Sequence, residues 1–378
     1  MALFRTSSVA THENKAAIND FRDGCPATAV YSTVEDEYRC VRERVGLQDL
    51  SHYGKISVTG DDALALINHF IPTDLERLPI NQLQSSFILA DDGRPVCELL
   101  IANFGTHYLL LTEGAPAEDI EARLKTAAAG MADAAVDNLS ESLGLLSVDG
   151  PYAWELLKSF LGLGIIGTRY LEVVPEQMIG GVQVTLCRAG KTGEYGYMLL
   201  APAAQIVTLW SALKTEGERF GALPIGTRVA DLCKMENRNV SQHQEGAMAG
   251  NVLELNTRTM LGRDKADYVG KAALQTTIAN GVERRLVGMT FDDALSVEQD
   301  GMQAGVAVNF GEHPIGKLVN VGYSFALKRW IGLALIDEAY ACVGVNYAVG
   351  DHAVRTVSAP FLFNRSLTIR PQEDSYFT

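Results

Sequence analysis

Alternating apolar positions on both sides of Gly190-Lys191-Thr192-Gly193-Glu194-Tyr195-Gly196-Tyr197 constrain this chain more than any other segment does. Val182, Val184 and Leu186 precede the stretch, and Tyr197 and Leu199 follow it. A period of two on each flank of a glycine-rich turn reads as the two strands of a hairpin. One carboxylate, Glu194, is thereby fixed beside the turn and backed by an apolar sheet. Its two oxygens can accept parallel hydrogen bonds from a flat heterocycle with adjacent N–H donors, such as the 2-aminopyrimidinone edge of a pterin. A solvated hairpin glutamate satisfies the same local pattern, so the rest of the chain has to decide.

The chain has 378 residues, 47% of them apolar, enough for two or three domains with cores of their own. A formal charge of −14 argues against a nucleic-acid or anionic-membrane binder and leaves a small molecule as the expected partner. An anionic ligand would need a local basic pocket. The six cysteines are scattered without a Cys-x-x-Cys pair and read as reduced thiols. The seven histidines form no His-x-His or His-x-x-x-His pair, so no metal site is expected. Met1 to Ser8 lacks the apolar core of a signal peptide, and no apolar run reaches bilayer length. The expectation is a soluble, cytoplasmic protein.

Residues 1 to about 33 read as a loosely packed polar arm. Glu35 to Leu47 suits a short helix, Lys55 to Gly60 a strand, and Ala63 to Phe70 a helix capped by Asp61-Asp62. Phe87 to Ala90, Asp91-Asp92-Gly93 and Val96 to Ala102 form a strand–turn–strand unit. A strand at Tyr108 to Thr112 and a helix at Ala117 to Ala129 follow. A strand at Gly144 to Val148 leads into a helix at Tyr152 to Phe160; further helices are read at Ala203 to Phe220 and after Pro224. Gly162-Leu163-Gly164-Ile165-Ile166-Gly167 fits a dinucleotide-binding pattern, but a helix precedes it and a strand follows, the reverse of what that loop requires. From Arg284 on, short alternating strands broken by glycine indicate a small antiparallel barrel. Strands and helices interleave without a regular βαβ repeat, so the class is α+β.

Five segments, in order, resemble the glycine-cleavage T-protein (aminomethyltransferase) superfamily of tetrahydrofolate-dependent one-carbon enzymes. They are Gly46-Leu47-Gln48-Asp49-Leu50-Ser51-His52-Tyr53-Gly54, Leu145-Leu146-Ser147-Val148-Asp149-Gly150-Pro151, Thr192-Gly193-Glu194-Tyr195-Gly196-Tyr197, Asp267-Tyr268-Val269-Gly270-Lys271 to Leu274, and Val321-Gly322-Tyr323-Ser324 to Leu335. The resemblance implies a three-domain cloverleaf around a central folate cavity. Its units would be residues 1–55 with 140–235, residues 56–139 with 236–280, and a C-terminal barrel at 281–378. It also implies that Glu194 holds the pterin, with Tyr195 beside it.

Departures from the family pattern fall at the chemistry. Gly93-Arg94-Pro95-Val96-Cys97-Glu98-Leu99 is similar to G-G-x-x-D-D-L, so Glu98 stands where the family has a catalytic aspartate, about one methylene further out. A strand glutamate facing solvent near Arg94 is the alternative. Val229-Ala230-Asp231-Leu232-Cys233-Lys234-Met235-Glu236 resembles A-R-D-S-L-R-L-E with both arginines changed. Folate's anionic tail wants a cation, and Lys234, Arg238 and Arg228 are the candidates; Lys234 and Arg238, four apart on a helix, are the preferred pair. Tyr53, where the family has methionine, could stack on the ligand or pack in the core.

These features imply a tetrahydrofolate-dependent transferase moving a methyl or methylene unit between folate and a small N-, O- or S-methylated or amine substrate. A folate-binding protein of the iron–sulfur-assembly type is the alternative, although its K-x-C-x-G motif is missing near Glu236 to Glu245. The folate half of a flavin-linked demethylating system is another. A lipoyl carrier or a flavoprotein is the partner these family roles imply.

Overall fold

The computed structural model describes residues 7–13, 18–262, 264–292, 295–297 and 303–378; the N-terminal Met1 to Thr6 lies outside them. Two sheets and a closed barrel carry the architecture. The first sheet has six strands in the order Val173–Ile179, Val182–Cys187, Gly196–Pro202, Leu143–Asp149, Gly46–Asp49 and Leu223–Pro224. All its pairings are antiparallel except the last. The second has five strands, in the order Gln82–Leu89, Pro95–Asn103, Tyr108–Glu113, Gly54–Thr59 and Ala135–Asn138.

Period-two alternation decides how the sheets stack. Leu146, Val148, Tyr197 and Leu199 face the helices Ala153–Leu161 and Ile206–Gly217, where Trp154, Leu157, Leu209 and Trp210 fill the core. Their strand neighbours Leu145, Met198 and Leu200 point the other way and pack against Leu100, Leu109 and Leu111 of the second sheet. On that sheet Leu99, Ile101 and Leu110 face the helices Ala63–Phe70 and Ala117–Ala128. The layers therefore run helix, sheet, sheet, helix. Glu98 shares the inner face with Leu100, and Glu113 shares it with Leu109 and Leu111. Alternation alone delivers both carboxylates to the space between the sheets.

The barrel closes in the order Arg284–Phe291, Arg329–Asp337, His313–Ser324, Ala307–Phe310, Asn346–Val349 and His352–Val357. It rests on the helix Thr227–Asn237 through Leu232, Met235, Val319 and Leu333. Glu236 of that helix bonds Ser324 of the barrel at 2.5 Å and Tyr38 at 2.8 Å. Beyond the barrel the chain returns to the first sheet: Ile369 joins its core, and the Tyr376 ring packs on Tyr152 and Phe220.

The reading of residues 1 to 33 as a loose arm is corrected. Ile18–Arg22 and Cys25–Val30 form an antiparallel hairpin with Cys25, Ala27, Ala29 and Val30 buried. Arg22 clamps Asp231 with nitrogen–oxygen distances of 3.1 and 2.6 Å, and Asp20 accepts from Thr227 at 2.6 Å. These partners lie some two hundred residues away along the chain, so no local pattern announces the hairpin. Gly162–Gly167 is a 3-10 turn that ends a helix, as expected of a pattern without the strand before it. Among the described residues, no helix is long and apolar enough to cross a membrane.

Candidate functional site

The strands Val182–Cys187 and Gly196–Pro202 pair as expected, but residues 188–195 form a broad loop rather than a tight turn. Gly193 holds φ at +85°, and a Cβ there would lie 2.3 Å from the Asn237 side chain, so only glycine fits this close approach. The loop presents Lys191 to the inner face of the second sheet and Glu194 to the C-terminal segment.

Lys191 is the centre of a buried charge cluster. Its Nζ lies 2.5 Å from Glu98 Oε2 and 2.5 Å from Glu113 Oε2. Glu98 and Glu113 are directly opposite on neighbouring antiparallel strands, an arrangement that repels unless a cation bridges it. Glu113 also accepts from Lys234 Nζ at 2.5 Å and from the Tyr53 hydroxyl at 2.6 Å. Glu98 Oε1 accepts from the Gln242 backbone N–H at 2.7 Å. Two carboxylates thus face two ammonium groups, and the cluster is neutral as a unit. Burial opposes the charge on Lys191, yet Glu113 and Glu98 raise its pKa well above the usual lysine value. Burial likewise opposes the Glu113 carboxylate, and Lys191 and Lys234 hold its pKa well below the usual range. Tyr53, buried and beside Glu113, stays a neutral donor, its pKa driven up first by burial.

One chamber opens from this cluster, and a second adjoins it. The enclosed one, about 210 Å³, is bounded by Tyr53, Ser85, Glu98, Lys191, Arg238 and Met260. The more open one, about 550 Å³, is bounded by Arg188, Glu194, Tyr195, Asn237, Ser366 and Ile369. Tyr170, Gly190 and Asn239 line both and form the neck between them. Their combined size and mixed lining suit a drug-sized ligand, for which pockets of about 300–1,000 Å³ are usual. Arg188 is sandwiched between the rings of Tyr195 and Tyr197, at 4.7 and 4.4 Å, and donates to Gly196 O at 3.0 Å. It forms no ion pair among the described residues.

The Glu194 carboxylate, expected to hold a ligand, is bonded within the chain itself. Its side chain is 0% exposed. Oε2 accepts from the Ser366 N–H at 2.8 Å and the Ser366 hydroxyl at 2.6 Å. Oε1 accepts from Arg365 N–H at 3.2 Å and Arg42 at 3.3 Å. A carboxylate has about four lone-pair sites, and all are filled. Ser366 also accepts from Tyr195 N–H at 2.8 Å, and the Tyr195 hydroxyl donates to Ile369 O at 3.1 Å.

The candidate anchors separate. Lys234 is buried and committed to Glu113. Arg228 is exposed and lines neither chamber. Arg238 faces the enclosed chamber, but it is the helix C-cap at φ +57°, so the chain has already left the helix and the Lys234–Arg238 pairing does not form. Tyr53 lines the enclosed chamber and Tyr195 the open one. Lys191, Glu113, Arg188 and Arg42 were not singled out from sequence. Strand register could have exposed Glu113, because the pairing of Pro95–Asn103 with Tyr108–Glu113 sets it opposite Glu98.

A family model described as the GCVT N-terminal domain matches residues 9–265, and one described as the glycine cleavage T-protein C-terminal barrel domain matches residues 284–362. The chain belongs to the glycine cleavage T-protein family. It is an enzyme, a one-carbon transferase of the folate-dependent class. The aminomethyltransferase of Caldanaerobacter subterraneus subsp. tengcongensis is 28% identical over 329 residues, 87% of this chain and 86% of that protein. That of Anoxybacillus flavithermus is 29% identical over 337 residues, 88% and 91% of the two chains. The fold matches the crystal structure of the glycine cleavage system aminomethyltransferase T from Bartonella henselae, with a TM-score of 0.79 at 20% identity over 96% of this chain and 99% of that one. Residues 363–378, which seal Glu194, lie beyond the matched barrel.

Proposed function

We propose that this enzyme moves a methyl or methylene unit between tetrahydrofolate and a small N-, O- or S-methylated or amine substrate, with the exchange in the enclosed chamber beside Glu98. The observation that carries this reading is a carboxylate on a chamber wall, held by a lysine ammonium and a backbone N–H inside a family fold built for one-carbon transfer. When bound, tetrahydrofolate supplies the nitrogen that accepts or gives up the one-carbon unit. The residues present fit such a group: a chamber of aromatic and apolar walls with Tyr53, Ser85 and Asn239 for a flat polar ring, and a neck leading to an open chamber with an arginine that has no ion pair among the described residues.

In this proposal Glu98 stabilises positive charge at the transferred carbon or steers the proton of the leaving atom, and Lys191 fixes its position. Tyr53 forms part of the chamber wall with its hydroxyl tied to Glu113. Arg188, stacked between two tyrosines at the open chamber, takes the anionic-tail role expected of Lys234, Arg238 or Arg228. Glu194 and Tyr195 act one step back, by fastening residues 364–369 as the outer wall of that chamber. Purified enzyme with tetrahydrofolate and a panel of methylated amines, methoxy acids and methylthio acids should yield one-carbon-loaded folate detectable by mass spectrometry. Glu98→Gln should make at least about tenfold less with the same donor. Equal yield from the variant would remove Glu98 from the chemistry.

A further inference from the structure

Arg238 is out of balance with its surroundings in three respects. It occupies the left-handed position at a helix C-cap (φ +57°, ψ +32°), where glycine is favoured and a side chain adds strain. Its guanidinium makes one hydrogen bond, from Nη2 to Leu286 O at 2.9 Å, and no ion pair among the described residues. It nevertheless lines the enclosed chamber that Glu98 and Lys191 also line.

Arg188, at the open chamber, is stacked between two tyrosines, and the cations nearer Glu98 are matched by carboxylates. Lys191 and Lys234 are matched by Glu98 and Glu113, and Arg42 by Glu236 at 2.5 Å. Arg238 has no such match. Burial presses against its charge, and the carboxylate that opposes this, Glu245, is itself pushed by burial up to about 7. A guanidinium with one hydrogen-bond partner among the described residues, lining a chamber in an acidic protein, offers its remaining N–H donors to a planar anion.

Building on the folate reading, we propose that Arg238 binds a carboxylate of the one-carbon substrate, so that the donor or acceptor is a small acid rather than a simple amine or thioether. The chamber supports this assignment over the folate tail. At about 210 Å³ it is the smaller of the two and is walled by Leu100, Leu111, Met198 and Met260, which suits a compact acid with an apolar body. A glutamyl tail requires an exit, and the exit lies past the neck at Arg188.

The test is a ligand-observed NMR titration of methoxyacetate, (methylthio)acetate and N-methyl-β-alanine, each against its primary amide. Wild-type enzyme should bind at least one acid about tenfold or more tightly than its amide, the margin expected of charge-assisted bonds. Arg238→Gly suits the left-handed cap, so it should fold with an unchanged melting temperature or a higher one, and it should bind acid and amide alike. Arg238→Lys keeps the charge without the fork and should fall between. Titration with 5-formyl-tetrahydrofolate should give the same affinity, within about threefold, for wild type and Arg238→Gly. The assignment is overturned if no acid binds wild type, if the preference survives in Arg238→Gly, or if that variant loses folate as strongly as acid, which would make Arg238 the tail anchor. Acid binding without any folate binding would instead sink the folate reading and leave the carboxylate site standing.

Discussion

Replacing Lys191 with methionine keeps the apolar stem and deletes the charge that bridges Glu98 and Glu113. Nζ lies 2.5 Å from an oxygen of each, so the variant leaves two carboxylates on adjacent strands with Lys234 as their one remaining ammonium. Removing one partner of a buried ion pair costs about 3–5 kcal/mol, because the charge left behind is no longer compensated. Glu98 is partly exposed and keeps its bond from Gln242 N–H, which places the expected loss near the lower end, about 3 kcal/mol at pH 8. The sign of the pH dependence follows from linkage. In wild type the Glu113 pKa is depressed on folding, so its stabilisation is full above the unfolded carboxylate value, about 4.3, and fades as pH falls through the folded value. In the variant the carboxylate pair binds a proton more readily when folded, so stability is gained as pH falls toward about 5. From pH 8 to 5 the gap therefore closes from the variant's side, and the wild type loses this stabilisation only below about 4.3. Urea unfolding followed by tryptophan fluorescence from pH 5 to 8 measures it. A gap under about 1 kcal/mol at pH 8, or one that does not change with pH, would refute the neutral-cluster account. Adding Glu98→Gln to Lys191→Met should recover much of the loss.

Glu98→Gln alone should leave 5-formyl-tetrahydrofolate affinity within about threefold of wild type and lower turnover tenfold to a hundredfold, measured as one-carbon-loaded folate formed per minute. Arg188→Met should weaken folate binding and flatten its dependence on salt, whereas Arg228→Ala should change neither, as titration at two ionic strengths will show. Burial raises the Glu245 pKa from 4.5 to about 7, so the folded state holds that proton where the unfolded state has lost it. Its effect is a fall in stability as pH rises from about 4.5 to 7, and Glu245→Gln should flatten that slope in urea unfolding series.

The parts of this molecule legible in its sequence are those set by short-range pattern. Alternation around Val182 to Leu199 places the hairpin, glycine-broken strands after Arg284 announce the barrel, and the motif at Gly93 to Leu99 locates Glu98 on the correct strand. What alternation cannot give is register between strands. The motif marks Glu98 for chemistry while Glu113 reads as an ordinary strand residue, and only their pairing makes a bridging cation necessary. Lys191 stood inside the most informative stretch and read as a turn residue, because a loop gives no period from which its direction can be inferred. The motif and its charge mark Lys234 as a candidate tail anchor, and its bond to Glu113 is hidden by the 121 positions that separate them. Nothing local to Glu194 shows that a serine 172 positions later bonds its carboxylate. The same distance hides the N-terminal hairpin, whose Arg22 finds Asp231 209 positions away.

Calorimetric titration of 5-formyl-tetrahydrofolate into the purified wild-type enzyme tests the central claim most directly, since the roles given to Glu98 and Arg188 depend on a folate reaching the chamber beside Glu98. The expected result is saturable binding of one ligand per chain, retained in Glu98→Gln and weakened in Arg188→Met. Absence of binding to the wild-type protein at millimolar ligand would contradict the account.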